Sequence, residues 1–441
     1  MRPEHAIDRA STPTGVRWAV LGLLAFAAAS AYLTRYCISA ANTTMQQGLN
    51  FDNAQMGQLM SAFMLGYFLF QIPGGWLGNR IGTRAAFVLI SVCWSLCNLW
   101  TATASLLGML WASRFMLGAC QAGLTPLSAK IVKDWIPLAN RGMSSAGIGA
   151  AMSLGGAFTL WLTGWLLSQD YGWRGIFAAY SLVAMVWAAG FGWFFRTDPQ
   201  DHASVNDAEL QLIRRSDDAS PGSHVPDVNA PVSGRHIAVA MLRSAGMWGL
   251  CVQSFFRAAG YVFFVTWFFA FLEYVYGIPT AEAGFLNSLP LVAVVAGCLT
   301  GGVLVDRLLR TTGSKWISRS GTAFVSMSVC GLFTMASAGT STATQLSVVI
   351  AIGGFFSGLA LPAAWAATID VGGRHTAVAM GVMNMAGCLA GVILPIVLGN
   401  WFDQIRRTNG DWNQVIYLHA GFYFVGAVSW LAVNPNRRVD R

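Results

Sequence analysis

Runs of about 20 apolar residues recur along nearly all 441 residues of the chain, and each is long enough to cross a hydrocarbon core of about 30 Å as a helix. They number twelve, at roughly 18–38, 55–78, 85–103, 107–129, 142–167, 174–195, 245–271, 283–305, 319–338, 344–368, 376–400 and 415–433. The residues are 55% hydrophobic and only 10% charged, against about 25% charged in soluble domains. A soluble fold could not hide this much apolar length. The expected fold is an all-α integral membrane protein, because a helix satisfies its own backbone hydrogen bonds in lipid.

The net charge of +8 is distributed as a topology signal rather than a nucleic-acid footprint. Twelve spans place both chain ends on one side. Nearly all Lys and Arg outside the spans fall there, among them Arg17, Arg80, Arg84, Lys130, Lys133, Arg141, Arg196, Arg243, Arg307 and Lys315. The opposite loops carry Arg174, Arg406 and Arg407. Positive charge gathers on the cytoplasmic side of a membrane, so both termini are expected to be cytoplasmic and the protein to be multi-pass in the cell inner membrane. The eight cysteines lie in or at the ends of apolar runs and read as small packing residues, with no disulfide or metal spacing.

Three arginines interrupt this pattern: Arg35, Arg114 and Arg257. Each would cost about 2.5–3.5 kcal/mol at the bilayer centre, so three would cost roughly 8–10 kcal/mol if they faced lipid. They are expected instead to line a polar cavity that receives an anion. Tyr32, Arg35 and Tyr36 share one face of the first helix at i, i+3 and i+4, and Arg257 and Tyr261 repeat the spacing in the seventh. One arginine from each half could grip a carboxylate in bidentate fashion, although each could equally cap a helix carbonyl. Arg114 and Gln121 share a face of the fourth helix. Gln253, Tyr67 and Asn384 are further candidate contacts, and Trp365 could pack against a carbon chain.

The longest polar stretch, about 197–242, divides six spans from six and reads as a cytoplasmic linker with a short helix near Asn206–Arg215. The expected units are a cytoplasmic N-terminal tail 1–17, a bundle 18–196, this linker, a bundle 243–433 and a cytoplasmic tail 434–441. The halves share a pattern. Gly75-Trp76-Leu77-Gly78-Asn79-Arg80-Ile81-Gly82-Thr83-Arg84 follows the second span, and Gly302-Val303-Leu304-Val305-Asp306-Arg307 follows the eighth. Halves related by an axis along the membrane normal, with substrate between them, are the major facilitator architecture. The first stretch resembles that superfamily's loop motif, with Asn79 where Asp is usual.

The chain also resembles the anion:cation symporter family, which includes sugar-acid permeases, sialin and the vesicular glutamate transporters. The resemblance lies in Gln71-Ile72-Pro73-Gly74-Gly75-Trp76, Arg114-Phe115-Met116-Leu117-Gly118, Gly172-Trp173-Arg174, Phe256-Arg257 and the glycine-flanked Asn384. It implies a two-half fold of twelve helices and transport of a small organic anion by alternating access, with a proton as the coupling ion. It also implies anion contacts at Arg35, Arg114, Arg257 and Tyr67, and gating by the loop residues Asn79, Arg80, Arg84, Asp306 and Arg307 together with Asp370. Relatives place carboxylates at the positions of Thr34 and Gln121 for the coupled proton, and neither residue here can titrate. An uncoupled, exchanging or sodium-coupled carrier is therefore an alternative, as is an anion sensor on a transporter fold. Among the remaining acids Glu273 reads as interfacial; His419, early in the twelfth span, reads as packing. No nucleotide loop, metal cluster or nucleophile–base pair points to an enzyme or a cofactor. The expected partners are the substrate anion, the coupling ion and lipid, with the carrier a monomer.

Overall fold

The structure is a computed structural model that describes residues 12–218, 239, 241–373 and 376–439; most of the tail 1–17 and the middle of the polar linker lie outside it. The described residues form helices and turns. Helix α1 (Val16–Ala40) is the first span, and the short α2 (Asn42–Leu49) continues it. Then come α3 (Asn53–Ile81), α4 (Thr83–Thr103), α5 (Leu107–Gln121), α6 (Leu124–Trp135), α7 (Leu138–Ser168) and α8 (Trp173–Phe194). After the linker helix α9 (Asp207–Asp218) follow α10 (Ala245–Thr266), α11 (Phe268–Tyr276), α12 (Thr280–Thr312), α13 (Thr322–Ala336), α14 (Ala343–Gly372), α15 (Thr376–Thr408) and α16 (Asn413–Ser429).

Ten stretches are each helical, long and apolar enough to cross a membrane. The 29-residue α3 and the α5–α6 pair account for the other two spans. The sequence expects unbroken fourth and seventh spans, and both are interrupted. Ala122 and Gly123 separate α5 from α6, and Trp267 separates α10 from α11. Several spans also run past their apolar limits, as α15 does through Arg406 and Arg407 to Thr408, because helix propensity outlasts hydropathy at polar ends.

Local chemistry sets the helix ends. Asp52 and Gln55 form a reciprocal capping box at the start of α3, which satisfies two otherwise orphaned N–H groups. Gly82 alone joins α3 to α4 at φ 80°, ψ 155°, a conformation essentially restricted to glycine. At the start of α1 the buried carboxylate of Glu209, from α9, accepts from the Thr14 hydroxyl. It also accepts from Val16 N (3.2 Å), Arg17 N (3.1 Å) and the Arg17 guanidinium (3.1 Å). The linker helix thereby fastens the first span at its N-terminal end.

The two sets of spans meet tightly at the end of the bundle remote from the chain termini. There Asp403 on α15 accepts from the side chain (2.8 Å) and backbone N–H (3.3 Å) of Asn53 and from Ala54 N (3.0 Å). Ser39 donates to the Val265 carbonyl at 2.6 Å, Ser61 to that of Val392 at 2.6 Å, and Tyr274 to Gln46 at 3.0 Å. A Cβ at Gly57 would collide with the Pro395 carbonyl, so α3 and α15 touch backbone to backbone. At the end that carries the termini several glycines have open space beside them. Gly147, Gly149, Gly302 and Gly381 meet nothing within 4 Å, and Val303 is 69% exposed.

Candidate functional site

A cavity of about 350 Å³ lies between the two sets of spans. Among the described residues its lining contains Arg35, Arg114 and Arg257 and no Asp or Glu. The aromatic and amide residues Tyr32, Tyr36, Tyr67, Tyr261, Phe63 and Asn384 complete most of the polar and π-bearing wall, with Ser153 and Ser254 as hydroxyl donors.

Arg35 is held from two sides. Its Nε and one Nη each lie 3.3 Å from Gln121 Oε1. Its guanidinium lies over the rings of Tyr32 at 4.4 Å, Phe63 at 4.8 Å and Tyr67 at 4.9 Å. An aromatic cage steadies a cation through ring quadrupoles, each contact being worth about 0.5–2 kcal/mol, without neutralising it. Gln121 is itself fixed, because its amide N–H₂ donates to Ala31 O at 3.1 Å and to Thr34 Oγ1 at 2.8 Å. Thr34 and Gln121 thus bond to each other, and the neutral amide orients Arg35 while leaving its charge unbalanced.

Arg114 behaves differently. It is 1% exposed and donates to Thr34 O and Arg35 O, both at 3.0 Å. The carbonyl-capping alternative describes this residue: it touches the cavity wall but gives both terminal nitrogens to α1, while its buried Nε, like that of Arg257, has no hydrogen-bond partner among the described residues. Its role in the geometry is to position the backbone that carries Arg35. Arg257, from the opposite half, has no ion-pair partner among the described residues, and its buried Nε has no hydrogen-bond partner. It is the most available cation in the cavity. Tyr36 and Tyr261 approach one another across the halves, and Gln71 Oε1 accepts from Asn384 Nδ2 at 3.3 Å.

Three candidate contacts lie outside the cavity lining; Gln121 is one, buried behind Arg35. Gln253 is buried outside the cavity lining and donates to Leu250 O of its own helix at 3.0 Å, because its position one turn before Arg257 turns inward to packing. Trp365 is 53% exposed and does not line the cavity. His419 is buried against Phe263, with ring centroids 4.4 Å apart, and its Nδ1 lies 2.6 Å from Val415 O. Phe63 was not singled out by sequence reasoning, yet it lies under both Arg35 and Arg114. Its only sequence signal is its place one helical turn before Tyr67, on whose ring it stacks at 6.1 Å.

The gating candidates sit at the end that carries the termini. Arg84 Nε donates to Gly192 O at 2.9 Å, within its own half. Asp370 pairs with Lys315 at 2.6 Å and with Arg319 at 3.3 Å, again within one half. Arg80, Asp306 and Arg307 are exposed; the side chain of Asn79 lies outside the described residues. Glu273, expected at the interface with water, instead lies half-buried in the closed seam.

Residues 24–395 match the Major Facilitator Superfamily model, and the chain belongs to that superfamily of membrane transporters. It is 27% identical to a probable sulfoacetate transporter of Cupriavidus necator, over 96% of this chain and 95% of the relative. It is also 27% identical to a probable galactarate/D-glucarate transporter of Bacillus subtilis, over 98% and 95%. Among solved structures, a bacterial homologue of the human lysosomal transporter Spinster superposes with a TM-score of 0.72 at 17% identity, covering 96% of this chain and 95% of that one. The xylose transporter XylE of E. coli gives a TM-score of 0.69 at 12% identity, covering 93% and 95%. These structures share the fold, and the chain is a transporter rather than an enzyme.

Proposed function

We propose that the protein carries a small organic anion, a sugar acid or another carboxylate or sulfonate, across the cytoplasmic membrane by alternating access. The carrying observation is the cavity between the halves, which among the described residues holds Arg35 and Arg257 with no acid in its lining. An anion entering it meets two unneutralised cations between low-dielectric walls, where charge–charge attraction is stronger than in bulk. Tyr67, Asn384 and the serine hydroxyls supply donors for an oxygen-rich carbon chain. The seam of Asp403, Ser39 and Ser61 bonds closes one end, as one state of an alternating carrier requires; the opposite end, which carries the termini, is the cytoplasmic one on the charge rule. The names of the relatives, which carry sulfoacetate and sugar acids, support the same class. The proposed divisions are the bundles 18–196 and 243–433 joined by the linker 197–242, and the proposed gate residues are Asn79, Arg80, Arg84, Asp306, Arg307 and Asp370.

Proton-coupled symport is the first reading of the mechanism, and an uncoupled, exchanging or sodium-coupled carrier the second. The specific observation behind the second is that Thr34 and Gln121 form a neutral hydrogen-bonded pair beside Arg35. Uptake of labelled sulfoacetate, glucarate and galactonate into proteoliposomes, with and without an inward proton gradient, separates the two. Accumulation that needs the gradient supports symport, and gradient-insensitive equilibration supports the second reading. Transport of none of these anions, or full transport by Arg35→Ala, would count against the anion-carrier reading itself.

A further inference from the structure

Glu273 occupies an unusual place. It lies on α11, beyond the last residue of the seventh span, in the seam where the halves meet. Its Oε2 accepts from the Thr43 hydroxyl of the opposite half at 2.6 Å, and its Oε1 from Thr280 of its own half at 2.9 Å. No Lys, Arg or His lies within ion-pair reach of it among the described residues. The surrounding elements offer little other charge. Helix α2 carries none. In the turns of α10 nearest Glu273 there is likewise none. On α12 the nearest acid is the exposed Glu282. Tyr274 is next to it in sequence but is engaged with Gln46, Asn53 and the overlying Arg406 at 4.6 Å. From α15, Asp403 is committed to the start of α3.

A carboxylate shut into a seam with two hydroxyls and no cation loses more hydration than it regains. Burial accordingly pushes the Glu273 carboxyl above its ordinary range, and the Thr43 and Thr280 hydroxyls recover only part of the shift. Opening the seam separates Thr43 from Glu273, since they belong to different halves, and returns the carboxyl to water. The two gate states therefore differ in proton affinity, and a group that binds protons more tightly in one state drives the molecule toward that state on acidification.

We infer that Glu273 is a proton-binding site of the gate remote from the termini, and that its protonation favours closure of that gate. The inference rests on the alternating-access reading. The site is separate from the cavity, and the proton enters and leaves from the remote face. It is thus a sensor of pH on that side, and it supplies a titratable group outside the Thr34–Gln121 pair.

The test needs no substrate, so it can fail independently of the anion assignment. Full-length protein in nanodiscs is examined by hydrogen–deuterium exchange at about pH 4 and about pH 8, values that bracket an ordinary or raised carboxyl, with labelling times scaled for intrinsic exchange. Peptides covering 42–60 and 268–285 report the seam. In the native protein they should be several-fold better protected at the acid pH. Glu273→Gln, an uncharged isostere, should be protected at both. Thr43→Val removes the hydroxyl that partly stabilises the ionised form in the closed state, so it should enlarge the pH difference. A purely structural Thr43–Glu273 tie would instead lose protection equally at both. Equal protection of the native protein at both pH values, or a native-sized pH difference persisting in Glu273→Gln, would overturn the inference. If Glu273→Gln does not fold, the Thr43→Val response decides alone.

Discussion

Replacing Gln121 by Glu would convert a neutral bracket into a competitor for the substrate. The amide oxygen lies 3.3 Å from two nitrogens of Arg35, so a carboxylate of the same shape would form an ion pair there. At this separation the attraction is about 4–5 kcal/mol for an effective dielectric of about 20. Two terms oppose it. The site is buried, and desolvating a carboxylate costs several kcal/mol. The mutation also turns the donor that now serves Ala31 O and Thr34 Oγ1 into an acceptor, losing about 1 kcal/mol per bond. A residual preference of about 2 kcal/mol for Arg35 would weaken anion binding by roughly 30-fold when residue 121 is ionised. Protonation cancels the competition, so Gln121→Glu should show an apparent affinity that recovers on acidification, while the native carrier lacks that dependence at this site. Counterflow of labelled sulfoacetate, glucarate or galactonate at matched internal and external pH measures this directly. A Gln121→Glu protein with native KM and a native pH profile would refute the claim that Gln121 governs the charge available on Arg35.

Three further outcomes follow from the same contacts. Arg114→Ala should lower thermal stability and transport together, by about 3 kcal/mol for loss of a buried bonded cation, while Arg114→Lys restores part of both because one carbonyl of α1 is regained; thermal shift and initial-rate uptake read these separately. At the linker, burial raises the Glu209 carboxyl, but the Thr14 hydroxyl, the Arg17 and Val16 N–H groups and the Arg17 charge outweigh it and leave the group below its usual range. A depressed folded value means that the stabilisation is present above the unfolded value near 4.3 and fades as pH falls through the folded one. The melting temperature should therefore hold near neutrality and fall on strong acidification, and Glu209→Gln should lose about 1–3 kcal/mol at neutral pH and show less of that acid sensitivity. Gly57→Val would push a side chain into the Pro395 backbone and should yield a folded protein whose remote gate cannot close, seen as lost transport with raised hydrogen exchange over 42–60.

Much of this was legible in the residues. Apolar length and the distribution of Lys and Arg give the helical membrane fold, since lipid leaves the backbone few options. The cost of a lipid-facing arginine points to a shared cavity, and Arg35, Arg257, Tyr67 and Asn384 do line one. Spacing cannot tell a cavity wall from a packed seam one side chain away. Arg114 and Arg35 have equal sequence signals, and only the approach of α5 to α1 shows that the former serves two carbonyls. Gln253 shares a turn with Arg257 yet points into packing. The break at Ala122–Gly123 follows from tertiary contacts that an apolar run does not display. Glu273 reads as interfacial because it ends an apolar run, and its seam exists only through the partner helix α2.

The central claim is that two uncompensated arginines select the charge of the substrate. Uptake of glucarate beside glucose, its uncharged counterpart of similar size, tests this most directly in proteoliposomes containing native protein, Arg35→Ala or Arg257→Ala. The account predicts that the native carrier transports the anion and rejects the neutral sugar, and that each alanine variant, folded by thermal shift, loses anion transport. Comparable uptake of both compounds, or anion transport undiminished in either variant, would contradict it.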